Sequence, residues 1–251
     1  MRAKSLKRKA FTLAETLITL SIIGVIAALT VPTLVANSQE AGFRSAFLKN
    51  YSIISNAYTQ SIRDGVPFWD PSYSNTDNWM ISPIYQDDPN LIKDYFKVHG
   101  EPRIATKGAG PYAIGYFYRG KKSSETFNNI GKYLNGSKAS GMFHNASAYA
   151  FQLEDGTVIG FYITNGLAWM VFIDVNGAKA PNTVGKDIYF LQGTYWALDS
   201  TGHYKLLPYG APGTGDAWRN KKDDCYKNST GMTCGYQILK NKGYIIPDKK
   251  S

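Results

Sequence analysis

Between Phe11 and Val35 the chain runs through twenty-five largely apolar residues broken by a single charge, Glu15. About twenty such residues cross a bilayer. An acid inside such a helix costs about 2.5–3.5 kcal/mol at the bilayer centre and less near the interface. The rest of the run, including Leu13, Leu17, Ile22, Ile26 and Leu29, is apolar all round, as in helices buried in lipid or in a bundle. A secretory signal peptide has a much shorter apolar region that ends in small residues at its cut site. Here Ala27 and Ala28 lie inside the run. A simple signal anchor fits the length and leaves Glu15 without a purpose.

Arg2, Lys4, Lys7, Arg8 and Lys9 precede the run, and no acid does. That asymmetry keeps the N-terminal side cytoplasmic and places residues 36–251 across the membrane. The string Lys9-Ala10-Phe11-Thr12-Leu13-Ala14-Glu15 resembles the processing site of type IV pilins and type II secretion pseudopilins. The resemblance implies that a prepilin peptidase cuts between Ala10 and Phe11 and methylates the new Phe11 amine. Residues 1–10 are then a leader, with Ala10 standing where the family usually has Gly. Glu15, one helical turn beyond the cut, is expected to pair with the Phe11 amine of a neighbouring subunit. A buried charge left without its partner costs about 3–5 kcal/mol, so the pair would lock the register of assembly. Removing the leader lowers the formal net charge from +9 to +4, which is mild and carries no nucleic-acid signature.

Past Pro32 the polar residues Asn37, Ser38, Gln39 and Glu40 mark the exit from the apolar zone. Phe43, Phe47, Tyr51, Ile54, Tyr58 and Ile62 then recur at helical spacing and predict one buried stripe. Gly65 is the expected C-cap. A helix over 11–63 would be about 80 Å long, with residues 11–35 in the membrane or filament core and a kink at Pro32. Residues 66–110 lack a clear period, with room for a short helix around Pro89–Val98. Strands are expected at Tyr112–Tyr118, Ala148–Leu153, Thr157–Ile163, Leu167–Val175, Gln192–Leu198 and His203–Leu207. Asp155-Gly156 and Asn165-Gly166 supply two-residue hairpin turns. The predicted fold is α+β, a long N-terminal helix packed on an antiparallel sheet, with residues 64–251 as the extracytoplasmic domain.

Cys225 and Cys234 bracket a short loop. Across a membrane such a pair reads as a disulfide contributing roughly 2–3 kcal/mol. Two free thiols or half a metal site are the alternatives, and many pilins carry a disulfide-closed C-terminal loop. The segment Asp174-Val-Asn176-Gly177, followed by Asn182 and Asp187, gathers oxygen side chains around a sharp turn. Calcium takes six to eight oxygens, and major pseudopilins bind it in a nearby loop, so Asp174, Asn176 and Asp187 are candidate ligands. The EF-hand pattern fails, because its twelfth position is Gly185, and a structural turn is the other reading.

No nucleophile, zinc or phosphate-loop motif occurs, and His99, His144 and His203 stand far apart. Trp218 with Arg219, Lys221 and Lys222 comes nearest to a nucleic-acid patch, diluted by Asp216, Asp223 and Asp224. The resemblance therefore implies a non-enzymatic subunit of a type IV pilus-like or type II secretion filament. It would be held in the bacterial inner membrane by one span, with its ectodomain in the periplasm or on the cell surface. Its partners would be prepilin peptidase and other pilin or pseudopilin subunits. A filament-tip adhesin or DNA-uptake pilin is the alternative.

Overall fold

The computed structural model describes residues 12–68, 88–104, 131–139, 148–164, 168–198, 204–212, 214 and 224–249. The chain divides into two compact units, Met1–Ala41 and Gly42–Ser251. Helix α1 (Leu13–Arg63) contributes to both. It continues through Pro32 and ends at Gly65, whose φ of 73° is the left-handed turn that glycine makes without steric cost.

In the second unit six strands form one antiparallel sheet in chain order. They are β1 (Val98–Ile104), β2 (Ala148–Leu153), β3 (Val158–Thr164), β4 (Ala168–Asp174), β5 (Ile188–Leu198) and β6 (Tyr204–Pro208). A 3-10 helix, Pro89–Asp94, precedes β1, and a short helix α2 (Cys234–Lys240) follows β6. The fold is α+β as the sequence predicts, and β2 to β6 fall within a few residues of five of the expected strands. The expected strand Tyr112–Tyr118 and the turn at Asn165-Gly166 lie outside the described residues. β1 and α2 are additions. The β2–β3 turn has three residues, not two. Leu153 N–H donates to Thr157 O at 2.8 Å, with Gly156 at φ 91° completing the loop. That is a tight turn followed by a left-handed residue, the next commonest way to close a hairpin.

Alternation along the strands gives the sheet two apolar faces. On one face Tyr149, Phe151, Phe161, Val171, Tyr189 and Leu191 join the stripe of α1, in which Phe47 and Ile54 are fully buried. The rings of Phe47 and Tyr189 lie 4.4 Å apart between centroids. Two polar contacts fix the helix against the β2–β3 turn. Asn50 donates to Thr157 Oγ1 at 3.1 Å in the interior, and Lys49 pairs with Asp155 at 2.8 Å near the surface. On the other face Ala150, Val158, Met170, Phe172 and Phe190 form a second core. Loops cover it through Ala139, Val184, Tyr209 and Met232.

Cys225 and Cys234 form a disulfide, and the loop it closes meets several elements. A Cβ on Gly185 would come within 2.8 Å of Cys234 Sγ, and one on Gly210 within 2.7 Å of Thr233. A Cβ on Gly235, the second residue of α2, would stand 2.9 Å from the Phe47 ring. Phe47 thus sits where α1, β5 and α2 converge. Phe47→Ala is expected to cost about 3–5 kcal/mol, the usual loss for a buried aromatic. Gly235→Val, which crowds the same ring, should cost about 1–3 kcal/mol. Urea midpoints of the detergent-solubilised chain measure both. A Phe47→Ala midpoint equal to wild type would mean that α1 is not anchored at this point.

Candidate functional site

The start of α1 is a reciprocal cap. Thr12 N–H and Oγ1 both donate to Glu15 Oε2, at 2.8 and 2.9 Å, and Glu15 N–H donates back to Thr12 Oγ1 at 3.2 Å. A Thr followed three residues later by Glu satisfies two otherwise orphaned backbone donors in this way. Farther along, the hydroxyls of Thr16, Thr19, Ser21 and Thr30 donate to carbonyls three or four residues back. No polar side chain among them needs water, which suits a helix in an apolar medium. The apolar side chains of this run are exposed among the described residues. Leu13 is 78% exposed and Leu29 72%, and the most apolar window of α1 has none of its residues buried. By length and composition the helix can cross a membrane. Ala10 and Phe11 lie outside the described residues.

The loop from β4 to β5 holds the three candidate calcium ligands. Asp187 is fully buried, and its carboxylate accepts the backbone N–H of Thr183 at 2.6 Å and of Asn182 at 2.8 Å. Asp174, also buried, accepts Asn176 N–H at 3.1 Å. The Asn176 amide nitrogen donates to Ala180 O at 3.1 Å, and its Oδ1 is buried without a hydrogen-bond partner. Among the described residues no three or more His, Cys, Asp or Glu side chains gather as a metal group. Both carboxylates are committed to amides of their own loop. What the arrangement does is hold a turn. Thr183 and Asn182 are pulled onto Asp187, which places Val184 in the second core and lets Val184 N–H reach Lys132 O at 2.8 Å.

Residues 5–31 match the family model of the prokaryotic N-terminal methylation motif, the prepilin-type cleavage and methylation segment of type IV pilins and pseudopilins. The chain carries a prepilin-type segment. That segment supports a type IV pilin-like or pseudopilin protein, a structural and not a catalytic class. No curated protein and no solved structure matches the chain. Within the prepilin-type segment, Thr12 is the residue that sequence reasoning missed. Its signal was the Thr-x-x-Glu spacing at the head of an apolar run, which also marks a helix start. The disulfide of Cys225 and Cys234 lies in the second compact unit, apart in sequence from the segment.

Burial pushes the Asp187 carboxyl up to about 6, against the opposing effect of the Thr183 and Asn182 amides and the Asn176 side chain. The folded protein therefore binds this proton more tightly than the unfolded chain does. Its contribution to stability is fully present below the ordinary value of 3.8 and is lost as pH rises through about 6. Urea midpoints of wild type should fall across that window, and the fall should be smaller in Asp187→Asn. Parallel pH profiles for the two chains would show that Asp187 is not the group responsible.

Proposed function

We propose that this chain is a structural subunit, a pilin or pseudopilin, of a type IV pilus-like or type II secretion filament. The observation that carries the reading is the methylation motif at residues 5–31, overlapping a helix whose apolar side chains are exposed among the described residues. Prepilin peptidase removes residues 1–10 and methylates Phe11. The subunit waits in the inner membrane as a single-pass protein, basic end inside, with its ectodomain in the periplasm or at the cell surface. Assembly then replaces lipid around the helix with the helices of other subunits.

The Thr12–Glu15 cap gives this sequence a physical rationale. In the single chain the carboxylate has two donors, which reduces the cost of carrying it at the membrane boundary. Assembly brings in the Phe11 amine of a neighbour as a further, charged partner. The register is then set by which subunits place that amine beside Glu15.

Intact-mass measurement and N-terminal sequencing of membrane-extracted protein should give Phe11 as the first residue. A mature end near residue 36 would mean an ordinary signal peptide and overturn the reading. Glu15→Ala should leave the cut in place and lower the sheared filament fraction by about tenfold or more, since a neighbour's amine then lacks its partner. Wild-type filament yield from Glu15→Ala would remove the register role.

A further inference from the structure

The disulfide of Cys225 and Cys234 has a close-packed inner side and a looser outer one. Cys234 is fully buried and Cys225 only 5% exposed. On the inner side a Cβ on Gly185 would meet both Cys234 Sγ and Gly231 O at 2.8 Å. Thr233, also fully buried, accepts Asp224 N–H on its hydroxyl at 2.9 Å. Asp224 in turn accepts Thr230 N–H at 3.2 Å. Backbone packed that closely gives a dissolved thiol no entry.

The outer side carries a strap. After α2 the chain turns at Asn241, whose Oδ1 accepts Gly243 N–H at 3.0 Å and whose carbonyl accepts Tyr244 N–H at 2.8 Å. It then runs without regular structure alongside Cys225–Lys227. Tyr244 Oη donates to Cys225 O at 2.9 Å, and Lys227 N–H donates to Pro247 O at 2.9 Å. Lys227 also pairs with Asp248 at 2.5 Å. Side chains alternate along the strap. Tyr244 and Ile246 pack against the core cluster that holds both cysteines, and Ile245 between them is 71% exposed.

These ties lie near water. Asn241, Lys242, Gly243, Ile245 and Asp248 are exposed, while Tyr244, Ile246 and Pro247 are half-buried. The ion pair joins two exposed side chains, where such pairs contribute little. A largely exposed segment without regular structure opens locally, while the rest of its domain stays folded. The inner side differs, because there Cys234 shares the core with Phe47 and Tyr189.

We infer that residues 241–248 gate the disulfide: thiols reach Cys225 and Cys234 by local release of this strap and not by unfolding of the sheet. The gate acts in both directions. The pair is oxidised while the strap is off, and docking of the strap then protects it from exchange. Reduction proceeds by attack of a thiolate on one sulfur. A mixed disulfide forms, the S–S bond breaks, and the other cysteine leaves as thiolate. A second reductant thiol then displaces the first cysteine, giving two cysteine thiols and the oxidised reductant. The inference goes beyond the filament reading and holds whether or not the chain polymerises.

The test is native-state reduction of the detergent-solubilised full chain by dithiothreitol without denaturant. Freed thiols are trapped over time with a mass-tagged maleimide. Tyr244→Phe, which removes only the hydroxyl on Cys225 O, should speed reduction severalfold. Ile246→Asp, which strips the strap from the core, should speed it by about tenfold or more. Phe172→Leu is the control, because it weakens the sheet from the second core and leaves the strap intact. Its rate should stay near wild type. Wild-type rates in both strap variants overturn the gate. Equal acceleration in Phe172→Leu also overturns it, since the sulfurs are then reached by unfolding of the domain.

Discussion

An apolar helix surface left exposed among the described residues is the constraint from which the rest follows. Burial of apolar surface contributes about 25 cal/mol per Å², so an uncovered run from Leu13 to Val35 cannot stand in water. Lipid or other helices can supply that cover. The polar groups in the run are arranged accordingly: Glu15 is held by Thr12, and the hydroxyls of Thr16, Thr19, Ser21 and Thr30 return to the helix's own carbonyls. Every polar atom so satisfied removes a reason for the helix to stay in water.

The second unit solves a different problem. A sheet apolar on both faces needs two covers, and among the described residues α1 lies over only one of them. The second cover is built from loops, which is expensive because loop backbone carries amides that must be paired. Asp174, Asp187 and Asp224 meet that need. Each is buried and accepts backbone N–H groups from its own loop, Asp224 from Thr230. Internal carboxylates let irregular chain lie flat over Phe172 and Phe190.

Much of this was legible in the sequence, for reasons that can be named. The stripe from Phe43 to Ile62 has a strict helical period, and every member lies in or against the first core. β2, β3 and β4 are short apolar runs separated by turn residues. β1 was hidden because Gly100 and Pro102 interrupt it, and its register shifts between His99 and Arg103 at an edge. α2 has seven residues, too few for a period to show. The second core was hidden for a deeper reason. Its cover joins Lys132 to Thr183 through single bridges between distant segments, and no local pattern encodes such a pairing.

The candidate ligands show the same limit from the other side. Asp174, Asn176 and Asp187 do share one loop, as their spacing implied, yet spacing cannot say what a carboxylate faces. The backbone amides of Asn182 and Thr183 reach Asp187 because Asn182 takes a left-handed φ of 49°, a conformation Asn tolerates better than most residues. With that bend the loop closes on its own carboxylate. A string of Asp, Asn and Gly can be read as a cation loop or as a self-braced turn, and spacing alone does not separate the two.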